Sequence, residues 1–212
     1  MPWFKLMCRC NRWAIGFLTV LMLTIIIPER ISYAAPLGLP KNTAKIGYAV
    51  GAAYLSIDDP QGDTEDTWAA QPVNLIYTDW FVSDTRYWAQ MFYYKTSLKA
   101  DSTNIGQDVE RYGLRFSVQK SARVIRSWAP WFGVGLDISQ ANYTLRHTKD
   151  LDGYLLDAFP DRSETGIALV FNLTSEWALV RDWNIAATFE QSVPANGDVW
   201  EFFAQLAVLY RY

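Results

Sequence analysis

From Trp200 to Tyr212 the chain alternates. Trp200, Phe202, Ala204, Leu206, Val208, Tyr210 and Tyr212 make an apolar face at period two, while Glu201, Gln205 and Arg211 stand on the other side. The pattern recurs upstream. Tyr112, Leu114, Phe116 and Val118 oppose Arg111, Gly113, Arg115 and Ser117, and Phe132, Val134, Leu136 and Ile138 oppose Gly133, Gly135, Asp137 and Ser139. Ile167, Leu169, Phe171 and Leu173 alternate with Ala168, Asn172, Thr174 and Glu176, and Trp183, Ile185, Ala187 and Phe189 with Asn184, Thr188 and Glu190. Such segments predict strands with one apolar and one polar face. Eight are read, at about 45–57, 71–82, 85–98, 108–119, 127–139, 164–178, 183–191 and 199–212. Segments two and three are ambiguous, because Asp79 or Asn74 must join the apolar face; the preferred register turns Ile76, Trp80, Tyr87, Ala89, Met91 and Tyr93 outward.

The connections alternate too. Residues 58–70, 99–107, 140–163 and 192–198 form the longer set, against 83–84, 120–126 and 179–182, which predicts an up-and-down order with long loops at one end. Trp80, Trp128, Trp177 and Trp183 lie beside the short turns, and Tyr212 falls at the same level. Amphipathic rings gathered at one end read as an interfacial girdle. An apolar outer face on every strand requires closure, because an unpaired backbone group in hydrocarbon costs several kcal/mol. The polar faces of eight closed strands then have only one another as partners. Asp79, Asp137, Glu176, Glu190 and Glu201 are expected to pair with Arg86, Arg111, Arg115 and Arg211 inside the lumen. The small inward residues of segment one, Gly47, Ala49, Gly51 and Ala53, leave room for water, for a narrow pore, or for large side chains from opposite strands.

Residues 1–34 read as a cleaved signal peptide. Lys5, Arg9 and Arg12 precede an apolar run from Trp13 to Ile27, Pro28 ends it, and Ser32-Tyr33-Ala34 offers small residues before the cut. Cleavage is placed after Ala34, or alternatively between Ala35 and Pro36, leaving a short periplasmic segment at 35–44 and one domain at 45–212. Both cysteines, Cys8 and Cys10, leave with the signal, so no disulfide or thiolate metal site is expected. Four basic residues and one acid leave as well, which makes the remainder more acidic than the formal −3 of the whole chain. No basic stripe remains for nucleic acid.

Gln205, Ala207, Tyr210 and Tyr212 closely resemble the C-terminal assembly signal of bacterial outer-membrane barrels, with Ala in place of the usual Gly. With the leader, the eight alternating segments, the loop asymmetry and the aromatic belt, the chain resembles the small outer-membrane barrels of the OmpA-barrel, OmpX and OmpW type. That resemblance implies an all-β, eight-stranded antiparallel transmembrane up-and-down β-barrel in the outer membrane of a Gram-negative bacterium. It implies no cofactor, delivery by periplasmic chaperones, insertion by the barrel-assembly machinery, and a surrounding of outer-membrane lipids and lipopolysaccharide. Changing Tyr212 to Ser should then cause periplasmic accumulation and degradation, read by fractionation; normal insertion would make the terminal match accidental.

The resemblance does not select a function, since this architecture hosts adhesins, structural proteins, channels and lipid A enzymes. The one histidine, His147, lies between Arg146 and Thr148 with no His-x-Ser spacing, so no catalytic residue is assigned. Asp58, Asp59, Asp63, Glu65 and Asp66, like Asp150 and Asp152, read as solvated loop tips and not as a metal site. Tyr154, Leu155, Leu156 and Phe159 form an apolar cluster in the long loop and are the candidates for contact with a host or surface ligand. A non-enzymatic structural or surface-interaction role is therefore expected. A narrow channel for small or hydrophobic solutes and a lipid A-modifying enzyme follow as alternatives. The rival fold is a soluble exported lipocalin-like barrel.

Overall fold

A computed structural model describes residues 43–62, 64–71, 73–82, 84–122 and 129–212. The expected signal peptide, its cleavage site, most of the 35–44 segment, Asp63 and Trp128 lie outside these residues. The described chain forms β1 (Lys45–Asp58), β2 (Thr64–Gln71), β3 (Val73–Val82), β4 (Thr85–Leu98), β5 (Gly106–Ser121), β6 (Trp131–Lys149), β7 (Leu155–Ala158), β8 (Arg162–Val180), β9 (Trp183–Asn196) and β10 (Val199–Arg211). These make eight barrel staves. β2 and β3 run consecutively along β1, β2 against Gly51–Asp58 and β3 against Lys45–Tyr48, so together they make one stave. β7 and β8 likewise pair with successive parts of β6.

Every pairing is antiparallel, and β10 closes on β1 from Lys45 opposite Arg211 to Ile57 opposite Val199. Closure removes the sheet edges. Apolar side chains face out in a continuous band, including Tyr48, Leu75, Met91, Leu114, Phe116, Leu136, Leu169, Phe189 and Leu206. Leu114, for example, is 62% exposed to the outside. A lipocalin-like barrel would put this face in its core and the polar face in water. Here the buried side carries Arg86, Arg111, Arg115, Asp137, Glu190 and Glu201, an inversion that suits a lipid surround.

The sequence reading of segment two requires correction. Asn74, Ile76 and Thr78 are buried inside, whereas Leu75 is exposed on the outer face and Asp79 shares its parity. Burial decides the register: the Asn74 amide donates to Gln205 inside, while Asp79 lies just past the end of the β1 pairing, where Thr43 and the Trp80 N–H (2.8 Å) supply donors. Segment three was read correctly, with Tyr87, Ala89, Met91 and Tyr93 outside and Arg86, Trp88, Gln90 and Phe92 within. Two expected loops also shrink. Residues 64–71 are strand, and most of 140–163 continues β6 and β8 as a hairpin beyond the apolar band.

Candidate functional site

The lumen is filled in layers. At mid-height Arg115 on β5 donates to Asp137 (2.7 Å), Glu190 (3.3 Å) and Glu201 (2.5 Å), reaching β6, β9 and β10 from one guanidinium. Its faces are covered by Phe203 and Phe92, with ring centroids 3.6 and 4.1 Å from the guanidinium carbon. Arg111, two inward positions above with Gly113 between them, pairs with Glu201 and donates to Ser139 (2.7 Å), and the Tyr94 hydroxyl donates to Glu201. The planar fork suits a site where several carboxylates converge, and each buried charge here has an opposite partner.

Below this cluster a second network holds Arg86, which donates to Gln119 (2.7 Å) and Glu176 (2.5 Å), while Lys45 also pairs with Glu176. Gln119 continues to Asn172 (3.0 Å) and Thr174 (3.1 Å), and Asn172 donates to Ser117 (2.7 Å). The Arg86 guanidinium carbon lies 4.2 Å from the Trp131 ring centroid and 5.1 Å from that of Trp88, forming an aromatic floor. Of the expected lumen residues, Arg86, Arg111, Arg115, Asp137, Glu176, Glu190 and Glu201 are thus brought together. Asp79 and Arg211 are not. Asp79 faces outward, and Arg211 is half-exposed at the rim, where it bonds the Arg181 carbonyl (2.8 Å) and Asp182 (3.4 Å). Arg211 is the last residue of β10, and Asp79 lies one residue past the end of the β3–β1 pairing with the outward parity of Leu75.

Lys45 was missed because it opens its strand and has the look of a rim residue. Its long stem reaches inward to the acid on β8. Gly47 and Gly51 do not line a void. A Cβ on either would run into a carbonyl oxygen of β10, that of Val208 or Ala204, so glycine here permits close approach of two strands.

The other mouth is closed by residues that read as solvated loop. Leu145 has φ of 55°, a left-handed conformation unusual for a leucine, and the pairing shifts register there between Gly106 and Asp108. This bulge changes the inward parity from Tyr143 to Arg146. Arg146 then reaches across to Asp59, both of whose oxygens lie 3.0 Å from Nη2, and to Gln61 (3.1 Å), Gln107 (3.2 Å) and the Pro160 carbonyl (2.9 Å). Arg146 and Asp59 are both buried. Nothing in the local pattern announces them, since an Arg-His pair and an Asp-Asp pair in expected loops read as polar tips.

No protein-family model matches the chain, nor does any curated protein. Solved structures do. Neisserial surface protein A (NspA) superposes with a TM-score of 0.51 at 16% identity, over 80% of this chain and 97% of that one. The outer membrane protein OprG from Pseudomonas aeruginosa gives 0.51 at 11% identity, over 81% and 97%. The chain has the fold of the small eight-stranded outer-membrane β-barrels.

In this outer-membrane barrel fold the remaining sequence candidates fall at opposite ends. Trp177 and Trp183 are exposed beside the β8–β9 turn, and the Trp183 ring lies 5.0 Å from Tyr210. Trp80 is not with them. It follows the inward parity of Thr78, and its ring lies 5.7 Å from the buried Trp131, so it belongs to the floor of the lumen. Of the assembly residues, Gln205 and Ala207 are buried inside, Gln205 donating to Gln90 (3.0 Å), while Tyr210 and Tyr212 face outward. At the far end Tyr154, Leu155 and Leu156 are exposed, Tyr154 at 72%, and the neighbouring Leu151 reaches 96%. Phe159 turns back under the hairpin, its ring centroid 5.8 Å from the Arg146 guanidinium carbon. His147 sits on β6 with Nδ1 2.7 Å from the Leu145 carbonyl.

Glu65 stands at the same mouth, above the apolar band. Partial burial, reinforced by Asp101 and then Asp59, pushes its carboxyl up to about 7, although the Ile105 N–H opposes the shift. Because the folded state favours the protonated form, this stabilisation is fully present below the ordinary value of 4.5 and is lost as pH rises through about 7. The denaturant midpoint should therefore fall between pH 5 and pH 8, and Glu65→Gln should flatten that fall. An unchanged slope in the variant would assign the pH dependence to other groups.

Proposed function

We propose that this protein is a non-enzymatic outer-membrane barrel with a filled lumen, serving as a rigid scaffold for an extracellular contact made by the hairpin of β6, β7 and β8. The observation that carries this reading is the exposed apolar tip, Leu151, Tyr154, Leu155 and Leu156, raised above a closed mouth. Strands committed to lipid and to each other leave recognition to loops on the scaffold. Exposed apolar residues clustered at a tip have a cost in water that a partner removes. The Arg115 and Arg86 networks support a plugged interior over conduction, and the close approach at Gly47 and Gly51 removes the feature that favoured a pore.

Replacing Leu151, Tyr154, Leu155 and Leu156 with Ser, and leaving Phe159 to hold the hairpin on Arg146, tests the reading. The variant should keep its heat-dependent gel mobility and reach the cell surface, yet lose adhesion or change serum survival or phage sensitivity. A correctly inserted variant with wild-type surface behaviour would overturn the assignment.

A further inference from the structure

Toward the mouth, β8 outruns β9. Their pairing ends at Ile167 opposite Asn196, with a bulge between Asn196 and Pro194, and the chain then turns through Gly197, whose φ is 94°. The turn lays Asp198 against Glu164 on the inner side of β8. A Cβ on Gly197 would stand 2.6 Å from the Glu164 carboxylate, so glycine permits this approach as well as the backbone angle. Both carboxylates draw on one guanidinium: Arg162 Nη1 lies 2.6 Å from Asp198 and 3.8 Å from Glu164. Burial, and then the Asp198 charge, holds the Glu164 carboxyl above its ordinary value, as expected of an acid short of positive charge.

Beside this pair lies a cavity of about 10 Å³, bounded by Ser139, Tyr143, Glu164, Gly166, Asn196 and Asp198 among others. Gly166 supplies the space. A Cβ there would meet only Ser139 Oγ at 3.6 Å and the Asn196 carbonyl oxygen at 3.8 Å. Tyr143 is wholly buried, and its hydroxyl has no hydrogen-bond partner among the described residues. The Arg162 guanidinium carbon rests 4.3 Å from the centroid of its ring, which fixes the side chain independently of the hydroxyl. Arg111 also borders the cavity, but its charge is committed to Glu201 and Asp137. Oxygen atoms therefore surround a space beside a carboxylate that shares its cation with another. A buried charge in that position takes a proton or a metal ion.

We infer that this cavity binds one small monovalent cation, of which sodium is the type, through Glu164, the Tyr143 hydroxyl and the oxygens beside Gly166. Volume limits the occupant to a single water-sized particle. Charge then selects the valence: Arg162 neutralises Asp198 at 2.6 Å, which leaves one negative charge, whereas a divalent ion would compete with Arg162 for both carboxylates. The bound ion ties β6, β8 and the β9–β10 turn together at the mouth. No residue of the hairpin tip takes part, so the site stands apart from the proposed surface contact.

The test replaces choline chloride with sodium chloride at constant ionic strength, around the full chain refolded into phosphatidylcholine vesicles, and reads amide exchange residue by residue. Sodium should slow exchange at residues 141–143, 164–168 and 196–199 along a saturating curve, by about fivefold at about four times the half-saturating concentration. Residues 112–118 should not respond. Tyr143→Phe keeps the ring under Arg162 and removes only the hydroxyl, so the half-saturating concentration should rise roughly fivefold, the effect of one lost polar contact. Gly166→Ala fits without a clash and should abolish the response by occupying the space, while Thr165→Val on the outer face of the same strand should preserve it. Equal exchange in sodium and choline would leave water alone in the cavity and overturn the inference. Saturation by calcium far below the sodium concentration, or a sodium response unchanged in Tyr143→Phe and Gly166→Ala, would overturn it too; the sodium and calcium comparisons need no variant to fold.

Discussion

Arg115→Ala is expected to destabilise the barrel by about 3–5 kcal/mol, because it strips the shared cation from buried carboxylates. Asp137 and Glu201 retain contacts with Arg111, but Glu190 loses its one cationic partner among the described residues, in a layer closed by Phe92 and Phe203. The denaturant midpoint of the refolded protein reads the loss. Arg115→Met with Glu190→Gln should recover part of it, since replacing both members of a buried pair costs less than orphaning one. A single variant with a wild-type midpoint would mean that the carboxylates are satisfied without Arg115. Conductance reads the same site differently: the wild-type barrel should be electrically silent, and the space vacated by the guanidinium, lined by acids, should admit water and give discrete cation-selective events.

How much of this was legible in the sequence depended on where each residue sits along its strand. In the middle of a stave, alternation fixes parity, so Arg111, Arg115, Asp137, Glu190 and Glu201 could be placed together from period two alone. At strand ends the same rule misleads. Asp79 and Arg211 have the composition of lumen residues, yet the rim offers them backbone and turn partners. Segment two failed for a related reason. Asn74 and Asp79 have opposite parity and similar polarity, and the deciding partner of Asn74 is Gln205, distant in sequence and adjacent only after β10 closes on β1.

The mouth was illegible for a different reason. Parity is carried forward by counting, and one left-handed residue resets the count. With Leu145 in a bulge, Arg146 moves from a position expected in solvent to one inside, where Asp59 awaits it from the β1–β2 connection. A leucine gives no warning, because such conformations are ordinarily announced by Gly, Asn or Asp. The hairpin was hidden in the same way: residues 142–149 and 154–163 are polar and aromatic in mixture, without the clean alternation that lipid on one side and a lumen on the other impose lower down.

Arg146→Ala is accordingly expected to have the largest effect at this end, about 3–5 kcal/mol on local stability, since among the described residues it leaves the buried Asp59 with hydrogen bonds only from the neutral Gln107 and the Gln61 backbone N–H. The same substitution releases the Pro160 carbonyl and the support under Phe159, both of which anchor the return of the hairpin. The barrel below should remain folded, because its own networks are centred on Arg115 and Arg86. The signature is therefore regional: amide exchange should accelerate in residues 144–161 and 59–62, and protease should cut the hairpin while sparing β5 and β10. Asp59→Asn should be milder, for it keeps an acceptor for Arg146 and removes the buried anion. If Arg146→Ala instead lowers the global unfolding midpoint and leaves hairpin protection intact, the Arg146–Asp59 pair is part of the barrel core. If neither changes, the strained Leu145 bulge holds the mouth closed without it.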